Sequence, residues 1–364
     1  MELTATNVVP LRCAGEYLEM TEDFGEGNLI ACADGFINQV VLRHWKECIR
    51  ALSSCATVFS KAEELGIVNS CVEAVAFKAC TEPSLLGWPM PNTSAQSPGG
   101  SFLWNGISTG ARPKRPRSDW WYEDVASLSL PLYKRVIVAM QKRGIRPENI
   151  AGSLMHFARR YLPALHKRQT TKEGSSMFGS LSLSSVPSED DQKVVLEMIE
   201  NLLPVRKAVV PTKFLCGLLR SAFMLSASPE CRSNIERRIG LQLEQANLED
   251  LLLPNLAYNL DTLYDIDCVQ RILEHFILRE QSSRSIIPPM TSDDDEHMID
   301  SPSLTPMMMV ARLMDDYLAE IAPDVNVKPS KFQSLAEALP DFARVSNDGL
   351  YRAIDIYLKV CPYI

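Results

Sequence analysis

Val209-Val210-Pro211-Thr212-Lys213-Phe214-Leu215-Cys216-Gly217-Leu218-Leu219 decides how this 364-residue chain reads. Proline holds φ near the helical value and lacks an N–H that a first helical turn would leave unpaired, so Pro211 suits a helix start. Behind it Phe214, Leu215, Leu218, Leu219, Ala222 and Leu225 recur at helical spacing and give a broad apolar face. The construction returns twice. IRPENI at 145–150 precedes Leu154, Phe157, Ala158 and Tyr161, and VKPSKF at 327–332 precedes Leu335, Ala336 and Leu339. The three prolines stand 64 and 118 residues apart, an irregular interval for a strict solenoid. The expected class is all-α, an array of packed helix pairs with long disordered linkers, in which each Pro-started helix packs on its predecessor.

The rest of the chain agrees with that class. Its length exceeds one typical core, so two domains or one elongated array are expected. Hydrophobic residues at 46% and charged residues at 23% are those of an ordinary globular protein. A net charge of −8 and only 7% aromatics argue against a nucleic-acid binder. The ten cysteines fall mostly in helical patterns without any CxxC, which reads as buried, reduced thiols of a cytosolic protein. The first residues lack a signal peptide's basic and apolar regions, and no apolar run approaches the ~20 residues of a membrane span.

Taken in order, residues 7–20 read as an amphipathic helix with Val8, Leu11, Ala14, Tyr17 and Leu18 on its apolar side. Asn28 caps a long helical region through Leu52, and residues 61–80 supply one or two more helices. Residues 92–118 turn to Ser, Gly, Pro and basic side chains, with Arg112, Lys114, Arg115 and Arg117 close together. They read as a flexible linker, and nuclear import or an anionic surface is the sharper alternative. Residues 168–191 and 282–302 read as two further linkers, the last carrying an acidic run at 293–296. Between them helices are expected after Trp120, up to Gly144, from Pro147 to Pro163, from Gln192 to Pro204, after Pro211, after Ser228, and over 265–278.

Chemistry is sparse. The P-loop, GxGxxG and HExxH patterns do not occur, and the five histidines lie in helical patterns or beside linkers. His44, Cys48 and Cys55 have helical ligand spacing, yet no second pair completes a tetrahedral zinc set. No catalytic, cofactor-binding or metal-binding residue is assigned, and the expectation is a protein that is not an enzyme.

Six segments carry a resemblance: WWYEDV at 120–125, LSLPLY at 128–133, KVVLEMIENLLP at 193–204, FLCGLLR at 214–220, NLAYNLDTLYDID at 255–267 and DGLYRAIDIYLK at 348–359. Together they resemble the plant non-phototropic hypocotyl and root phototropism family of BTB/POZ adaptor proteins. The resemblance implies a helical family domain over 119–364, shortened at its C-terminus and with flexible insertions at 168–191 and 282–302. It implies a remnant of the BTB/POZ C-terminal helices at 1–27, a helical linker region at 28–91 and the basic linker at 92–118. It further implies a substrate adaptor or scaffold in light and auxin signalling that needs no cofactor. Its partners would be photoreceptors or other signalling proteins, and full-length relatives would join them to a cullin-3 ubiquitin ligase. Because most of the cullin-binding domain is missing, the alternative is a scaffold without a ligase role. The expected location is the cytoplasm, with peripheral association at the plasma membrane. The partner-binding candidates are Trp120, Trp121, Tyr351 and Tyr357, each set against a core role. For Tyr351 the core role carries the greater weight.

Overall fold

A computed structural model describes residues 2–20, 27–81, 103–104, 107–108, 119–165, 187–255, 262–284 and 305–360. The linker expectations at 92–118, 168–191 and 282–302 fall mostly outside these residues. The chain forms two compact units, Met1–Phe157 and Ala158–Ile364, and its described elements are helices apart from one two-residue ladder. The class is all-α.

The first unit begins with α1 (Val8–Tyr17), α2 (Leu29–Phe36), α3 (Trp45–Ser54), α4 (Phe59–Glu64) and α5 (Ile67–Cys80). Asn28 caps α2 as its sequence predicts, with Oδ1 accepting from Ala31 N at 2.9 Å. The long helix expected through Leu52 is broken. A single π turn over Ile37–Val41 follows α2, and His44, in extended conformation, restarts the chain as α3. Gly66 turns α4 into α5 at φ +72, a conformation that costs glycine little. After the short ladder β1 (Leu103–Trp104) and β2 (Ile107–Ser108) come α6 (Tyr122–Ala126), α7 (Leu130–Lys142) and α8 (Pro147–Tyr161). α7 packs along α5. Arg135 of α7 pairs with Glu63 of α4 at 2.6 Å and Arg143, just after α7, with Glu73 of α5 at 2.7 Å, and each guanidinium lies over a ring of that same partner helix, Phe59 and Phe77. α8 packs on its predecessor as expected: Phe157 stacks on Tyr133 at 3.9 Å, and the Tyr133 hydroxyl bonds Ser153 Oγ at 3.0 Å.

The second unit holds α9 (Glu189–Leu202), α10 (Thr212–Met224), α11 (Pro229–Gly240), α12 (Leu248–Leu251), α13 (Ile266–Arg284), α14 (Pro306–Ile321), α15 (Pro329–Glu337) and α16 (Asp348–Val360). Proline begins helices here beyond the three copies of the motif. Pro229 follows the cap Ser228, whose Oγ accepts from Cys231 N at 3.4 Å. Pro306 follows Thr305, whose Oγ1 accepts from Met308 N at 3.3 Å. Pro211 itself stands just outside α10, as the cap rather than the first helical residue. Residues 187–191 prove to be helix start rather than linker: Ser188 caps α9, and Glu189, Asp190 and Asp191 fill the first turn, where carboxylates complement the exposed N–H groups. α13 likewise runs on through 282–284.

Charged pairs knit these helices together. On α11, Arg238 faces α9, with Nε 3.6 Å from Glu200 and Nη1 donating to Pro204 O at 2.9 Å. Two residues away, Glu236 faces α13 and accepts both Nε and Nη2 of Arg271, at 2.9 and 2.8 Å. α11 and α13 touch at Gly240, where a Cβ would stand 2.7 Å from Ile272 O. Gln242 is buried and clamps the preceding turn, accepting from Ala208 N at 2.9 Å and donating to Val210 O at 2.7 Å.

Burial of the thiols yields a test. Cys216 is fully buried on α10, which pushes its thiol up to about 12, so it is not a thiolate at neutral pH. Among the described cysteines only Cys32 and Cys80 are exposed. Native-state alkylation followed by peptide mass mapping should therefore modify these two first, with Cys216 protected until unfolding. Cys216→Ser should cost about 1–3 kcal/mol in denaturant melts, because a hydroxyl replaces a thiol where no water reaches.

Candidate functional site

The second unit contains an open cleft of about 630 Å³. Its walls are the first turns of α14, the segment 244–247, the segment 343–346 and the first turn of α16. α14 buries Met307, Val310, Ala311, Met314, Tyr317, Leu318 and Ile321 at helical spacing. That leaves Met308, Met309, Arg312 and Asp316 on the side turned to the cleft. Among the described residues α14 and α16 make the most extensive helix pairing.

At the cleft's inner edge Arg344 Nε donates to Asp315 Oδ1 at 3.0 Å, with both side chains buried, and Arg344 Nη2 donates to Ala336 O at 3.0 Å. Burial lifts the Asp315 carboxyl above its ordinary 3.8, and Arg344 opposes that shift. Gly349 eases the close approach: a Cβ there would stand 3.0 Å from Asp315 Cβ, so a larger residue would make α16 or Asp315 give by a few tenths of an ångström. Glu244 is held by Lys207 at 2.5 Å and Arg279 at 3.4 Å. Val345 of the lining is 78% exposed, and two large side chains within two residues of lining positions along the chain also face water, Phe342 at 58% and Tyr351 at 67%.

The four candidate aromatics separate. Trp121 is buried, and its ring packs edge-on against Tyr122 at 4.7 Å. Trp120 is half-buried and meets Trp45 edge-on at 4.6 Å, while Trp45 Nε1 donates to Asp124 at 2.7 Å. The tryptophan pair thus anchors the 119–126 segment to α3 inside the first unit. Tyr357 is buried, stacked on Phe332 at 4.4 Å, and its hydroxyl donates to Val327 O at 2.6 Å. Only Tyr351 is open to solvent, which reverses the weighting toward a core role. The N-terminal stripe is also revised: Val8 and Val9 are buried within the first unit, and the exposed side is Ala14, Tyr17 and Leu18.

The His44, Cys48 and Cys55 spacing does not form a site. Cys48 Sγ donates to Cys71 O at 3.5 Å and Cys55 Sγ to Ala51 O at 3.2 Å. Among the described residues no three His, Cys, Asp or Glu side chains are grouped as metal ligands. No described helix is long and apolar enough to cross a membrane.

Two measurements check these placements. Tyr357→Phe should cost about 1–3 kcal/mol, since it leaves a buried carbonyl without its donor, whereas Tyr351→Phe should stay within about 0.5 kcal/mol of wild type. The Asp315 carboxyl holds its proton more tightly folded than unfolded, so its contribution to stability falls as pH rises from 3.8 through the higher folded value. Asp315→Asn does not titrate there. The wild type's lead in Tm over this variant should therefore narrow from about pH 3.5 to about pH 7. A widening lead would show that Arg344 outweighs burial.

The NPH3 family matches residues 119–364. The chain is 54% identical over 369 residues to BTB/POZ domain-containing protein At1g30440 of Arabidopsis thaliana, covering 100% of this chain and 56% of the relative. It is 46% identical to BTB/POZ domain-containing protein At5g03250 of the same plant, covering 100% of this chain and 61% of that one. To Root phototropism protein 3, also of Arabidopsis thaliana, it is 37% identical over 443 residues, covering 100% of this chain and 59% of the relative. The chain thus spans somewhat over half the length of these curated relatives. No solved structure matches it significantly. On the family match and these identities, the chain belongs to the NPH3 family.

Proposed function

We propose that this chain is a non-enzymatic adaptor or scaffold in plant light and auxin signalling, recruiting photoreceptors or other signalling proteins through its second helical unit. The observation that carries the reading is the cleft beside α14 and α16, with exposed Val345 in its lining and exposed Phe342 and Tyr351 within two residues of lining positions along the chain. Exposed apolar groups collected around a concavity mark an interaction surface more than a surface at rest. Family membership supports the adaptor class, and relatives named for BTB/POZ domains and for root phototropism support the signalling context. Full-length relatives would connect such partners to a cullin-3 ubiquitin ligase. The chain would act in the cytoplasm and at the plasma membrane periphery.

The test is capture of purified proteins by the immobilised chain, with plant photoreceptors as one set and cullin-3 as the other. A Val345→Asp, Tyr351→Asp double variant should reduce photoreceptor capture by about tenfold or more while leaving Tm within a few degrees, since both side chains are exposed. Unchanged capture would overturn the use of this surface. Cullin-3 capture by the wild-type chain separates a ligase adaptor from a scaffold alone.

A further inference from the structure

On the adaptor reading, we propose that the cleft between α14 and α16 takes a cationic amphipathic peptide segment of the partner, one that alternates large apolar side chains with Lys or Arg. The lining carries four carboxylates, Glu244, Asp315, Asp316 and Asp348, against two guanidiniums, Arg312 and Arg344, a formal charge of −2. These groups are not equivalent. Asp315 is neutralised by Arg344, and Glu244 by Lys207 and Arg279. Asp316 and Asp348 are exposed and form no ion pair among the described residues. They are the negative charge that the cleft presents to an incoming chain.

Arg312, also exposed and without an ion pair among the described residues, gives the cleft direction. It lies one helical turn before Asp316 on the same side of α14, so it repels a cation at one end while Asp316 and Asp348 attract one at the other. Met308 and Met309, one helical turn before Arg312 on α14, and Val345 supply apolar lining beside these charges. Unbranched thioether side chains adapt to differently shaped apolar partners. A cleft of about 630 Å³ holds several side chains at once, as a short peptide segment would require. An acidic peptide would set carboxylates against Asp316 and Asp348 and could use only Arg312.

The test measures fluorescence anisotropy of two synthetic peptides with the full chain. Both place Leu and Phe at helical spacing; one carries Lys and Arg between them, and the other carries Glu. The basic peptide should bind about tenfold or more tightly than the acidic one, and more weakly as salt shortens the range of charge attraction. Asp316→Lys with Asp348→Lys should invert the preference. Arg312→Glu should tighten the basic peptide several-fold, a gain that misfolding cannot produce. Equal affinity for both peptides, or a preference that survives the double reversal, overturns the proposal. So does a dimer of the chain broken by the double reversal while neither peptide binds, for then the cleft serves a second copy. If the basic peptide fails but Val345→Asp with Tyr351→Asp still abolishes photoreceptor capture, the charge assignment falls and the adaptor reading stands. If the basic peptide binds while capture survives that variant, the cleft chemistry holds and the capture surface lies elsewhere.

Discussion

Two charges on α11 hold the second unit in register. Glu236 and Arg238 are two residues apart, about 200° around a helix, so they must point to opposite neighbours. Glu236 meets Arg271 of α13, and Arg238 meets Glu200 of α9. Taking either charge out of water without its partner would cost several kcal/mol. A one-residue slip of α11 would strand both, whereas an apolar face tolerates small shifts. Burial by itself weakens the Glu200–Arg238 pair: it raises the Glu200 carboxyl and lowers the Arg238 guanidinium, each toward its neutral form. The value of that pair is therefore in the arrangement it enforces more than in net stability. Cys268, whose Sγ donates to Glu236 at 3.3 Å, and the bare Cα of Gly240 complete the α11–α13 seam.

The cleft is built by the same device. Asp315 and Arg344 tie α14 to the short 3₁₀ turn Asp341–Ala343 that precedes α16. Gly349 then lets α16 start close against Asp315. The pair consumes the innermost charges and leaves the outer ones, Arg312, Asp316 and Asp348, for solvent or a partner. A rigid floor with unspent charge at its mouth is a reasonable basis for recognition, because the binding groups need little ordering on contact.

Much of this fold was legible in local chemistry. Pro147 and Pro329, the Asn28 and Ser228 caps and the Gly144 stop each act within one helical turn, and the structure places a helix boundary at every one. α14 went unread although Met307, Val310, Met314, Tyr317 and Ile321 repeat cleanly. Its start lies close behind an acidic stretch, and it opens on Thr305-Pro306 in place of the apolar-x-Pro motif. The break at His44 had a weaker signal, since nothing in residues 37–44 forbids a continuous helix and only packing selects the π turn. The cleft could not be read at all. It joins the segment after α11 to the first turns of α14 and α16, and one-dimensional periodicity says nothing about which helix starts meet.

The tyrosines show how far periodicity alone could have gone. Tyr351 and Tyr357 are six residues apart, about 240° around α16, so one core face cannot hold both. Ala353 lies four residues before Tyr357, within about 40° of it, and both are buried. The face containing the small residue is the one that can approach a neighbour closely. It therefore takes Tyr357, which sends its hydroxyl to Val327 O past the ring of Phe332. Tyr351 stands at i+3 from Asp348, which lines the cleft, and is itself exposed. The buried tyrosine fixes where α16 lies, and the exposed one is left beside the unpaired carboxylate.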